Sequence, residues 1–299
     1  MGGSLGALQE RVIGSSVRPP RRWSLLGLAP LAAWLVVFLL APLGILIVYS
    51  FWSVTPSFSI DRAFTIQNYV DVFTEPLAYR SFLLSLRVAL LSTVGAIAIA
   101  YPFAFFLAKR SGRWQLTLVI AVAIPFLTSY ILRAYAWRTL LGTEGIINGA
   151  LQTVGLIDGP IDALLYSPFA TGIGLVYLFL PITILPIYAS IERIPDSLFE
   201  AAAGLGSSPA RVFREVVLPL SAPGVMVAAV FTFVFSIGEF IVPSLLGGGK
   251  QLLFSETIVL RVNNDLDWPG AAAMSIVLIA ITLLLVALVG RRARSAGFI

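Results

Sequence analysis

The sequence predicts an all-α protein that crosses a membrane six times. Three observations lead there. The 299-residue chain is 58% hydrophobic and only 12% charged, where soluble domains carry about 25% charged residues. Six stretches almost free of charge are each long enough to cross a hydrocarbon core of about 30 Å. Basic residues gather in every second connection between those stretches.

The spans, in order, are Leu25–Tyr49, Phe82–Ala108, Leu116–Ala136, Phe169–Ala189, Pro223–Val242 and Ala271–Val289. Arg87 lies near the start of the second and Arg133 near the end of the third. At such positions a long side chain reaches the interface or faces protein. Residues 1–23 are polar and basic and read as a cytoplasmic tail, residues 24–292 as the transmembrane domain, and 293–299 as a second cytoplasmic tail. The first span is too long for a signal-peptide core and lacks a small-residue cleavage pattern, so it is expected to remain as a helix.

The connections differ in character. The segment after the first span is rich in aromatic residues, with Pro56 and Pro76 as breaks and room for a surface helix at Gln67–Phe73. Such aromatics suit a membrane interface. Between spans three and four, glycines and the polar Glu144, Asn148 and Gln152 favour a re-entrant or interfacial helix over a further span. Between spans five and six, Gly247–Gly249 gives a turn and Leu252–Val262 a short external helix.

Charge fixes the direction. Thirteen of the 20 Lys and Arg residues fall in the two tails and in the connections after spans two and four. The positive-inside rule places those segments, and both termini, in the cytoplasm. Topology thus accounts for the formal net charge of +5, with no need for a nucleic-acid partner. The chain has neither cysteine nor histidine. Disulfides, thiolate metal sites and imidazole chemistry are excluded, and no enzymatic arrangement remains. No G-x-x-x-x-G-K-[ST] motif occurs, since GGGKQ at Gly247–Gln251 has the wrong spacing and no hydroxyl.

The longest polar interruption is the loop 196–220, which contains EAAAGLGSSPARVFREVVLPL from Glu200 to Leu220. Ser197 followed by Glu200 has the spacing of a capping box. The alanines that follow are strong helix formers, and Gly204 and Gly206 permit a stop. Ser208 then suits an N-cap and Pro209 the first helical position, with Pro219 expected to end the second helix before span five. Two short helices on a glycine turn form a stiff cytoplasmic element attached to spans four and five. Such an element can pass force from a cytoplasmic partner to the membrane helices. It is a helix–turn–helix in geometry alone and lacks the supporting domain of a DNA reader.

For a solute path, Glu239 near the end of span five is the foremost acid, as a solute contact or as half of a structural pair. Tyr130, Tyr135 and Trp137 could line the path or form an aromatic belt, while Arg133 and Arg138 could pair with Glu144 or contact an external binding protein. Asp265, Asp267 and Trp268 before span six could meet an external partner or remain solvated. Pro125, Pro181 and Pro186 can bend helices.

The polar loop resembles the EAA loop of ABC-importer permeases. The matching residues are Glu200, Ala201, Ala202, Gly206, Val216, Leu218 and Pro219, with Val216 where isoleucine is commoner. FLTSYILRAYAWRTLLGTEGIINGAL, YLFLPITILPIYASIERIP and GEFIVPSLLGG resemble the spermidine/putrescine permease subgroup. FSETIVLRVNNDLDWPG departs from that subgroup's Met-Ile-Gly pattern. The resemblance implies the type I importer permease fold in a bacterial cytoplasmic (inner) membrane, surrounded by lipid. It implies a coupling helix at Glu200–Gly204 with Gly206 at its turn. It also implies two ATP-binding subunits that hold ATP and Mg2+, a second homologous permease and an extracytoplasmic solute-binding protein. No cofactor is expected on this chain. Related subgroups carry iron, thiamine, phosphonates or amino-acid-like solutes, and a non-transporting membrane assembly protein is the remaining alternative.

Overall fold

The computed structural model describes residues 30–31, 33–161, 164–249 and 251–295. The expected tail at 1–23 lies outside them, as do residues 296–299 of the tail expected at 293–299, whose first three residues end the last described helix. Two compact units divide at Tyr49 and Ser50. The first holds one described helix, α1 (Ala33–Tyr49), which is apolar throughout and π-helical over Val36–Leu40.

The second unit opens with a two-residue antiparallel pairing of β1 (Ser53–Val54) and β2 (Ile60–Asp61). Helix α2 (Gln67–Thr74) follows where a surface helix is expected, and Asn68 ties it to the carbonyls of Ser50 and Trp52. Pro76, within the first turn, starts α3 (Pro76–Lys109). At 1.5 Å per residue α3 is about 51 Å long, so it extends well beyond a hydrocarbon core of about 30 Å.

The expected third span is corrected. In place of one helix over Leu116–Ala136, the chain forms α4 (Gln115–Ala123), a 3-10 turn (Ile124–Leu127) and α5 (Tyr130–Leu141). The segments on the two sides of this break, Gly112–Leu127 and Tyr130–Thr153, are bent by 92°. The cause is local. Pro125 brings no N–H to the ladder, and Thr128 is extended at φ −92°, ψ 150°, with its hydroxyl donating to the Pro125 carbonyl at 2.8 Å. Helix α6 (Ile146–Thr153) is the expected short element, set by buried Asn148, which donates to Gly142 O and accepts from Ile161 N.

Helix α7 (Pro168–Glu192) is capped by the Ser167 hydroxyl. Helix α8 (Asp196–Gly204) forms the first half of the polar loop. Helix α9 (Pro209–Gly238) is continuous through a π turn at Phe213–Val217. This overturns the expectation that Pro219 ends the preceding helix. In the π turn Leu218 N–H bonds to Phe213 O, five residues back, and this shift of the ladder carries the helix past the missing N–H of Pro219. Then come α10 (Ile241–Leu246), α11 (Phe254–Asn263) and α12 (Trp268–Ser295). Four described helices, α3, α7, α9 and α12, are long and apolar enough to cross a membrane, and the bent pair makes a fifth if it counts as one span.

Helices α3, α7 and α9 form the packed centre. The buried face of α3 is a run of small residues, Ser85, Ala89, Thr93, Ala96, Ala100 and Ala104. Small residues let helix backbones approach closely where no hydrophobic effect drives association. Gly224 on α9 shows how closely: a Cβ there would lie 2.5 Å from the Pro186 carbonyl oxygen of α7. Hydroxyl pairs bridge the same interfaces, with Thr183 to Thr232 at 2.7 Å and Tyr101 to Ser221 at 2.7 Å.

Candidate functional site

The polar loop leaves α7 at Ile194 and Pro195, and Pro195 is the N-cap of α8. Ser197 therefore lies inside the first turn, and the expected capping box with Glu200 does not form. With Pro195 as the N-cap and Asp196 as the first helical residue, the hydroxyl comes two residues too late to cap. The consequence is that Glu200 is exposed and keeps its carboxylate free of partners among the described residues.

The other end of α8 follows its sequence. Gly206 adopts φ +76°, a conformation that favours glycine. Ser207 N bonds to Ala202 O at 3.1 Å and Gly206 N to Ala203 O at 2.9 Å, the pattern of a Schellman stop. Ser208 then caps α9 through the Arg211 N–H, with Pro209 in the first turn. Ala201, Gly204, Leu205 and Gly206 are exposed on this tip, and Leu205 is 87% exposed.

What holds the tip is not visible in the loop sequence. Lys109, the last residue of α3, donates to Ile194 O at 2.6 Å and Asp196 Oδ1 at 2.8 Å. Its ammonium lies 5.2 Å from the centre of the Phe199 ring, and its side chain is only 12% exposed. Beneath α9, Phe213 sits edge-on to Tyr101 and Phe105. Val216 is half-buried, Val217 is fully buried, and Leu218 and Pro219 are exposed where the α-helix resumes after the π turn. The loop is thus a polar, small-residue ridge held to α3 twice, by Lys109 at α8 and by Phe213 of α9 against Tyr101 and Phe105.

The candidate path residues do not form a single surface. Tyr130 and Glu239 come together through a hydrogen bond from the phenol to the carboxylate. Glu239 Oε1 also accepts from Ile241 N at 2.8 Å and Val242 N at 3.3 Å, while its carbonyl accepts from Ser255 Oγ at 2.5 Å. One residue therefore joins the bent third segment, the α9–α10 break and α11. Trp137 packs edge-on against Tyr177 of α7, with ring centres 5.3 Å apart. Tyr135 is exposed. The suggested pairing of Arg133 or Arg138 with Glu144 is not formed. Arg138 donates to Tyr166 Oη at 3.3 Å, and Arg133 buries Nε and Nη1 without a partner.

Asp267 is also tied inward. It accepts from Arg261 at 3.1 Å and from Gly270 N at 2.8 Å, and Arg261 reaches Glu75 as well. Among the described residues no group of three or more Asp or Glu side chains is placed to hold a metal ion.

Residues 12–295 match the family described as binding-protein-dependent transport system inner membrane component. The chain belongs to this family. It is 35% identical over 264 residues to the spermidine/putrescine transport system permease protein PotB of Salmonella typhimurium (strain LT2), covering 88% of this chain and 91% of that protein. It is 36% identical over 248 residues to PotB of Escherichia coli (strain K12), covering 83% and 90%. The inner membrane ABC transporter permease protein YdcU of Escherichia coli (strain K12) is 35% identical over 245 residues, covering 78% and 77%. A chain of a bacterial alginate ABC transporter, solved with an alginate pentasaccharide-bound periplasmic protein, superposes with a TM-score of 0.75 over 92% of this chain and 95% of that one. At 18% identity that likeness speaks for the fold alone. The chain is therefore an all-α, multi-span inner-membrane permease of the ABC-importer type. It is a transport component and not an enzyme, and it carries no nucleotide-binding motif of its own.

Proposed function

We propose that this permease forms half of the path for spermidine and putrescine in an ATP-driven importer. The identity to PotB proteins over nearly their whole length supports the solute assignment. The observation that carries the mechanism is the α8 ridge, exposed at its tip and held rigidly at its base. In this reading α1 is the first span and the bent pair the third, which makes six, with both termini cytoplasmic. Two ATP-binding subunits, which hold ATP and Mg2+, grip Glu200, Ala201, Ala202, Gly204 and Gly206. A second homologous permease completes the path, and an extracytoplasmic binding protein delivers the solute.

Force on α8 has two ways into the membrane. One runs through Lys109 into α3, the other through Val216, Leu218 and Pro219 into the unbroken α9. ATP drives the change only as far as the partner subunits bind one state of the permease better than the other. At the far end of α9, the Tyr130–Glu239 bond is placed to respond. When it opens, Glu239 presents a carboxylate to a cation, with Tyr130 and Tyr135 as aromatic contacts along the route.

The test is uptake into proteoliposomes containing the whole transporter and its binding protein. ATP-dependent entry of labelled spermidine or putrescine is expected. Entry of another small polar solute, with neither polyamine carried, would overturn the solute assignment.

A further inference from the structure

Helices α3 and α7 leave a groove beside their packed faces, about 770 Å3 in volume. Leu91, Gly95 and Ile99 of α3 and Ile173, Val176 and Leu180 of α7 are among its walls. A second cavity, also about 770 Å3, opens at one end of this groove. The two share Leu84 and Arg87, and the second adds Arg80, Ser81 and Gln251. Arg80, Leu84 and Arg87 lie on successive turns of one helix face. Both arginines are exposed, and neither has a partner among the described residues.

The dimensions fit one class of molecule. From Arg87 to Ile99 is 12 residues, or about 18 Å along the helix axis. That is close to one leaflet of a hydrocarbon core of about 30 Å. Arg80 stands roughly 10 Å further out along the same axis. Lys109 is 22 residues beyond Arg87, about 33 Å away, so if Lys109 marks one face of the core, Arg87 marks the other. A cationic mouth at headgroup level thus stands over an apolar slot one leaflet deep.

We propose that this paired cavity binds an anionic phospholipid, its phosphate between Arg80 and Arg87 and an acyl chain along the α3–α7 groove. The depth assignment rests on the membrane topology proposed above. The apolar slot selects a lipid over a free phosphate, which would fill only the mouth. The same two charges disfavour a cationic solute as the occupant. Guanidinium groups match phosphate geometry through paired N–H donors.

The test uses the assembled transporter purified from phosphatidylglycerol and phosphatidylcholine mixtures, with retained lipid read by native mass spectrometry. Phosphatidylglycerol is expected to be held in preference to phosphatidylcholine. Arg80→Gln with Arg87→Gln should weaken that retention about thirtyfold, at roughly 1 kcal/mol for each basic residue near the headgroups. Soluble glycerol phosphate should not displace the lipid. Ile99→Cys, in a chain with no other cysteine, carries a benzophenone into the slot and should crosslink to an acyl chain. Equal retention of both lipids, unchanged retention in the double variant, displacement by glycerol phosphate, or crosslinking to the second permease would each overturn the proposal. None of these readouts depends on which solute is carried, so failure of the polyamine assignment would leave them unaltered.

Discussion

At one end of the α3–α7–α9 core, α8 turns Glu200, Gly204 and Leu205 outward and is held from behind by Lys109. At the other end the charged groups are turned inward. Glu256 is only 6% exposed, and its carboxylate caps α11 by accepting from Leu253 N at 2.8 Å. Burial pushes the Glu256 carboxyl above its ordinary value, while the Leu253 N–H pulls it back. Arg261, 14% exposed, joins Glu75 just before α3 to Asp267 just before α12. Glu239 spends one oxygen on three donors. The contrast separates two uses of polar residues in an apolar protein. Those satisfied within the chain fix the arrangement of helix ends, and those left free are available to another chain. Substitutions at the first kind should act on stability, and at the second on coupling.

Ordered by expected effect on stability, Arg261→Ala comes first. It removes the shared partner of two partly buried carboxylates. Breaking a buried pair costs about 3–5 kcal/mol, and partial exposure of Glu75 and Asp267 reduces this to roughly 2–3 kcal/mol. Thermal unfolding of the purified transporter in detergent should show the loss. A melting temperature equal to wild type would mean that this end is not held by its ion pairs.

Tyr130→Phe comes next. It deletes the phenol that bonds Glu239 but leaves the two backbone donors of α10 in place. A hydrogen bond to a charged group contributes about 1.5–3 kcal/mol, so a loss near the lower figure is expected. Glu239→Gln separates structure from transport. If Glu239 meets the cation, polyamine uptake should fall by more than the loss of folded protein explains, and uptake unchanged per folded transporter would remove Glu239 from the path.

The same division marks what could be read from the amino-acid order. Features set by a few neighbouring residues were legible: α2 at Gln67, α11 within two residues of its expected start, the Ser208–Pro209 restart and the Gly206 stop. The break at Thr128 was marked only by Pro125, one of three prolines able to bend a helix, because an apolar stretch has the same composition whether straight or bent by 92°. The continuity of α9 through Pro219 was also hidden. A proline predicts a missing N–H, but not that a π turn will absorb it. The contacts that carry the site span long intervals, such as Lys109 with Asp196 and Tyr130 with Glu239. Lys109 looked like one more topological charge, since nothing local to it records what arrives from Ile194 onward.

Lys109→Met tests the boundary between the two kinds of residue. Its ammonium is buried against a carbonyl, a carboxylate and a ring, yet Asp196 itself is exposed. Methionine keeps most of the packing along the stem, and the freed Asp196 turns to water, so the stability change should stay near 1 kcal/mol. Stimulation of ATPase activity by the loaded binding protein should nevertheless fall, because α8 would no longer move as one body with α3. Retained stimulation would assign force transfer to α9 alone.

Glu200→Ala has the smallest expected effect on stability and is the sharpest test of the contrast. The carboxylate has no described partner, and alanine is the better helix former, so unfolding should shift by no more than about 0.5 kcal/mol. If Glu200 is kept free for the ATP-binding subunit, the variant should insert and melt like wild type while binding that subunit more weakly and losing solute-stimulated ATPase activity. A variant that is destabilised but still coupled would place Glu200 with Arg261 and Glu239, among the residues that hold the permease together, and would leave the exposed tip of α8 without its charged contact.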